Sequence, residues 1–142
     1  MLNLLKNFIK PVKAHCDLFC GVYDPAQARI EAQAVYNAVH KYNESDDPIF
    51  KQRAIIIKEE RAQLVKEHLW VLWTDYFKPN HLEKYPDTHQ IFWDATKAAG
   101  DAKKDMSEET ALRLLAAVDE VGKLFAKTKE GYNYDAVVNN LK

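Results

Sequence analysis

The sequence predicts an all-α fold, a four-helix bundle, on three observations. Apolar residues recur at three- and four-residue spacing in four separate stretches, no strand-like alternation persists, and the links between stretches are short and carry helix start signals. Only four glycines and five prolines interrupt the 142 residues, which suits helices with tight connections. That length fits one domain, and apolar residues at 47% are enough for a core.

The first helix begins at Asp24-Pro25, with Asp as N-cap and Pro at the first helical position. Its stripe is Ile30, Ala34, Val35, Ala38, Val39 and Tyr42, and it stops near residues 43–45. Asp47-Pro48 repeats the start signal. The stripe that follows, Phe50, Ala54, Ile57, Leu64, Val71 and Leu72, carries a second helix to about Tyr76, ahead of Pro79. Residues 78–85 read as a connection. Pro86 opens a third helix with Ile91, Phe92 and Ala95 inward and an end near Gly100. Ser107 caps the fourth, where Glu108 and Glu109 complement the helix dipole. Ala111, Leu114, Leu115, Val118, Val121 and Phe125 are its inner face. After Gly131 a short helix over 135–141 completes the chain.

Charge excludes some functions. Twenty basic and 21 acidic residues give a net charge of −1, so neither nucleic acid nor an anionic membrane is an expected partner. No apolar run approaches the roughly 20 residues that span a bilayer. Residues 1–14, MLNLLKNFIKPVKA, carry Lys6, Lys10 and Lys13, which break every apolar stretch that a secretory signal would need. A cytoplasmic location is therefore expected. Residues 1–14 read either as a frayed amphipathic first turn or as a leader removed before His15, which would leave 15–142 as the bundle domain.

The chain's two cysteines both lie in His15-Cys16-x-x-x-Cys20, ahead of the first helix, so a disulfide framework is excluded. Thiolates with imidazole favour zinc, copper, nickel or iron over magnesium or calcium. Spacing alone favours two reduced thiols beside a surface histidine. Cleavage before His15 sharpens the choice. It would free an α-amino group next to the imidazole and the Cys16 amide, and an amide nitrogen is deprotonated only by a strongly binding ion such as Ni(II) or Cu(II). Anionic donors then favour the higher oxidation state, which points to redox work by an N-terminal metal-binding hook at residues 15–23.

With Phe19 as its one departure, the stretch HCDLFCGVYDPAQARIEA at 15–32 resembles the nickel-dependent superoxide dismutase family. So do DDP at 46–48, IKEERA at 57–62, LWTDYFKP at 72–79 and HLEKYP at 81–86. The resemblance covers roughly residues 15–95, and the helix after Ser107 matches in pattern only. It implies that His15, Cys16 and Cys20 ligate one nickel ion per subunit, with the His15 amine and the Cys16 amide among the donors. It implies that Tyr23 stands over the open metal face, with Tyr76 hydrogen-bonded near it. Asp17 would help fix the hook, and Glu31 and Arg61 would support the His15 ring. The substrate would be superoxide, the assembly a homohexamer, and a processing protease would remove the leader.

Read as residues alone, Arg61 sits on the apolar stripe between Ile57 and Leu64, where a charge is costly unless paired, and Glu31 could meet it across helices. His68 reads as core or interface; His81 and His89 read as surface. The family has proline where Phe19 stands, so a hook with its ligands intact but less pre-organised is expected. The proton donor stays open between Tyr23, ordered water and a ligand thiol. Two other readings remain: a nickel or copper carrier without turnover, and a non-catalytic hexameric bundle.

Overall fold

The computed structural model describes residues 21–141. Helix α1 is Ala26–Glu44 and α2 is Pro48–Val71, continued by a π-helical turn at Leu72–Tyr76. Then follow α3 (Pro79–Lys84), α4 (Thr88–Ala102), α5 (Glu108–Thr128) and α6 (Tyr134–Asn139). No strand occurs among the described residues.

The start signals work as side-chain caps. Asp24 Oδ1 accepts from the Ala26 N–H at 2.7 Å, Asp47 Oδ1 from Ile49 at 2.9 Å and Ser107 Oγ from Thr110 at 3.4 Å. Each satisfies an amide that the first helical turn leaves without a partner. The four long helices close a square, α1 packing on α2 and α5, and α4 on the same two. Two cross-links set the register of α1 against α5. Arg29 Nε meets Asp119 Oδ1 at 2.8 Å, and His40 Nδ1 meets Glu108 Oε1 at 2.9 Å. The two pairs are equally spaced along each helix but run opposite ways, so the helices are antiparallel. One end of the bundle therefore gathers the start of α1, the end of α2 and the end of α5. That is where the chain arrives from the hook.

The core holds Val35, Val65, Leu69, Phe92, Leu114 and Phe125, all fully buried. The inner face of α5 is as predicted, but the stripes of α1 and α2 are rotated. Ile30 is 41% exposed and Ile57 is 43% exposed, while Ala28, Ala32 and Ala62 face inward beside the predicted Val35, Val39 and Ala54. Small residues at the α1–α2 contact let the two backbones approach closely, which turns the larger isoleucines out. Residues 78–85 are also not a plain connection, because α3 lies within them.

Lys58 is 2% exposed. Its ammonium donates to the carbonyls of Lys103 at 2.7 Å and Asp105 at 3.1 Å. Burial pushes its pKa down, and nearby carboxylates, Glu59 first, oppose that. Lys58 thus ties α2 to the link between α4 and α5.

Candidate metal centre

The second helix does not end as an α-helix. Pro79 disfavours helical backbone just before it, and the chain leaves through a wider turn in which the Phe77 N–H bonds the Leu72 carbonyl at 3.2 Å. The five-residue reach of that bond re-aims the side chains that follow. Tyr76 is carried into an aromatic cluster. Its ring centroid lies 4.5 Å from Phe125, 5.2 Å from Phe77, 5.5 Å from His81 and 5.6 Å from Tyr23.

The Tyr76 hydroxyl lies 2.8 Å from Thr128 Oγ1, and the Thr128 hydroxyl in turn donates to the Phe125 carbonyl at 2.7 Å. Thr128 has one proton and spends it on that carbonyl, so Tyr76 is the donor of the first bond. The expected meeting of Tyr76 with Tyr23 is thus made by the rings, tilted at 54°, while the hydroxyl is held by Thr128. Nothing local in the sequence marks Thr128, which lies 52 residues further on.

The chain enters α1 beside this cluster. Lys129 Nζ donates to the Tyr23 carbonyl at 3.4 Å and stands 5.3 Å above the Phe125 ring. The Tyr132 hydroxyl donates to Asp24 Oδ1 at 2.6 Å. Burial, then the neighbouring Asp24 carboxylate, push the Tyr132 phenol well above its ordinary pKa of 10.0. A cavity of about 20 Å³ beside Tyr23 is lined by Gln27, His68 and Leu72. His68 is half-buried there.

Further along α1, the nearly buried Glu31 pairs with Arg61 of α2, Oε2 to Nη1 at 3.1 Å. Gln27 Nε2 donates to the other carboxylate oxygen at 3.2 Å. The Arg61 side chain keeps 38% of its surface open. The two histidines read as surface differ. His89 is exposed and accepts from Trp73 Nε1 at 2.8 Å. His81 is half-buried and stacked on Tyr76, a correction that follows from α3 folding back beneath the π turn.

Four predicted site residues are thus positioned by the fold, as the pairs Tyr23–Tyr76 and Glu31–Arg61. His15, Cys16, Asp17 and Cys20, together with Phe19, lie outside the described residues. No cluster of three His, Cys, Asp or Glu able to hold a metal occurs among the described residues. The donor set that fits a metal is the one in the hook sequence. Two thiolates, an imidazole and backbone nitrogen suit nickel or copper better than harder ions.

The profile of the family described as nickel-containing superoxide dismutase matches residues 10–129. The chain belongs to that family. It is 51% identical over 119 residues to Superoxide dismutase [Ni] of Streptomyces coelicolor, covering 84% of this chain and 91% of that protein. Identity to the Streptomyces seoulensis enzyme of the same name is 50%, with the same coverage. The native nickel superoxide dismutase crystal structure superposes with a TM-score of 0.79 at 51% identity, over 82% of this chain and all of that one. A structure of the apo form gives 0.75 at 48% identity, over 78% of this chain and 99% of its own.

Proposed function

We propose that residues 15–23 are the metal hook of a nickel superoxide dismutase and that Tyr23, Tyr76, Glu31 and Arg61 equip it from the bundle. The chain is a superoxide dismutase with a nickel cofactor, converting two superoxide ions and two protons into dioxygen and hydrogen peroxide. The observation that carries the site is the tilted Tyr23–Tyr76 pair at 5.6 Å, standing where the hook joins α1.

In this proposal His15, Cys16 and Cys20 hold the ion, and nickel when bound supplies one-electron cycling between Ni(II) and Ni(III). The protein's own groups do the rest. Tyr76 is fixed by Thr128 and by the rings around it, and so gives Tyr23 a rigid wall. Tyr23 orders the incoming anion or water over the hook. Glu31 aligns Arg61, whose open edge steadies the His15 ring, and Asp17 braces the hook itself. The exposed Lys78 adds positive charge that draws superoxide inward. Tyr23, ordered water and a ligand thiol are the candidate proton donors.

Removal of residues 1–14 by a protease is part of the same proposal, because His15 has a free amine only after cleavage. Assembly as a homohexamer is another part. It is supported by apolar surface on α2, where Ile49 is 69% and Ile56 58% exposed, and by a groove of about 360 Å³ between α1 and α2 that includes Ala38 and Phe50. A monomeric mass by light scattering would overturn it. No described helix is long and apolar enough to cross a membrane. A cytoplasmic location is proposed on the lysine-broken leader.

The test compares the chain beginning at Met1 with one beginning at His15, each given nickel. Nickel bound and superoxide consumed only by the shorter chain is the expected result. An active, nickel-loaded chain still beginning at Met1 would overturn the amine ligand. Nickel binding by the shorter chain without turnover would favour a carrier.

A further inference from the structure

We propose that the segment following Lys129 is a strap that fixes the base of the hook, with Tyr132 as a positioning residue for Tyr23. This rests on the reading that residues 15–23 hold nickel. The family match ends at residue 129, so the strap lies beyond the stretch this chain shares with the family profile.

The segment crosses back over the start of α1 and is pinned at two levels, by Tyr132 and Tyr134, just after Lys129 anchors the end of α5. Lys129 holds the Tyr23 carbonyl at 3.4 Å. Tyr132 holds the Asp24 carboxylate at 2.6 Å, and its ring packs edge-on against Phe125 with centroids 5.0 Å apart. Tyr134, 4% exposed, donates to Asp119 Oδ1 at 2.9 Å. The same Asp119 oxygen takes the Arg29 Nε bond from α1. Asn133 caps α6 through the Ala136 N–H at 3.1 Å, which sets the direction in which the segment continues.

These contacts matter because of what lies upstream. Gly21 has a φ of 58°, in the left-handed region that glycine enters without steric penalty. Gly21 therefore imposes little orientation on Tyr23 from upstream, and the tyrosine has to be set from the bundle side. The contacts at Tyr23 and Asp24 supply that fixed point on the bundle side of Gly21. Asp24 serves two donors at once, the Ala26 amide and the Tyr132 hydroxyl, so the helix cap and the strap share one carboxylate.

Hydrogen exchange at the amides of residues 23–28 tests the strap in the full chain, with thermal midpoints measured alongside. Nickel release to a chelator is timed on the chain beginning at His15. Tyr132→Phe removes one bond to a carboxylate, and about fivefold faster exchange at 23–28 is expected, with a matching rise in nickel release and unaltered exchange in α4. Asp24→Asn keeps an oxygen for both donors and should behave as wild type. A chain ending at Glu130 should show the larger effect. Unchanged exchange in both Tyr132→Phe and the shortened chain would overturn the strap. Faster exchange with unaltered nickel release would overturn the positioning role. A wild-type chain from His15 that takes up no nickel would overturn the metal reading instead, while the exchange data decide the strap by themselves.

Discussion

The two ends of the bundle are held together by different means. At the hook end, side chains from distant segments meet one another: Tyr23 with Tyr76, Tyr76 with Thr128, Asp24 with Tyr132. At the far end, where His40 pairs with Glu108 and Lys103 with Gln63, several other side chains serve backbone. Lys58 clamps the carbonyls of Lys103 and Asp105, Asn43 donates to the Met106 carbonyl at 3.4 Å, and Ser107 caps α5. Backbone clamps stop helices from fraying and confer stability wherever they occur. Side-chain pairs from three or four elements fix the position of a particular atom, which is what a metal centre requires.

The contrast is broken if the far end turns out to control the metal. Lys58→Ala should have the largest effect on stability, a loss of about 3 kcal/mol, because two carbonyls lose their donor and a cavity opens where the buried side chain stood. Urea unfolding measures it, and the nickel content of the folded fraction should be unchanged. Altered metal content at full folding would mean that the two ends are coupled.

Tyr76→Phe sharpens the comparison from the other side. One neutral hydrogen bond is lost, to Thr128, at a cost of about 1 kcal/mol. Turnover should fall by more than that loss of stability would suggest, since the ring facing Tyr23 is no longer held. A loss of stability with kcat/KM intact would make Tyr76 a packing residue only.

The smallest effect belongs to His40. Its hydrogen bond to Glu108, then the charge of Glu44, raise its pKa above the ordinary 6.5, against the opposing effects of desolvation and then Lys41. A raised pKa in the folded state means that folding favours the protonated ring. The stabilisation is therefore complete below pH 6.5 and fades as pH climbs through the raised value. Thermal midpoints of wild type and His40→Gln should differ more at pH 6 than at pH 9. A gap independent of pH would show that the ring acts by packing.

Much of this molecule can be read from local signals. The four long helices follow from Asp-Pro and Ser caps and from apolar spacing, because each depends on residues within a few positions of one another. Glu31 and Arg61 could be matched because a charge on an apolar stripe calls for a partner, and the two do form an ion pair. The hook is legible through its whole motif at 15–32, since the spacing of two cysteines and a histidine alone is a weak signal. What could not be read depends on size or on distance along the chain. Apolar spacing placed Ile30 and Ile57 on the inner faces of α1 and α2, where the smaller Ala28, Ala32 and Ala62 are the buried residues. The π turn follows from the way α2 must end before Pro79, and periodicity alone extends a regular helix through it. The partners of Tyr76 and Asp24 lie 52 and 108 residues away.

Gly122 carries the docking of the segment after Lys129 one step further. The ring of Tyr134 lies against it so closely that a Cβ there would fall inside the ring's own volume. Positions 122 and 134 are consequently one heritable unit. A lineage that gains a side chain at the first must move or give up the aromatic ring at the second.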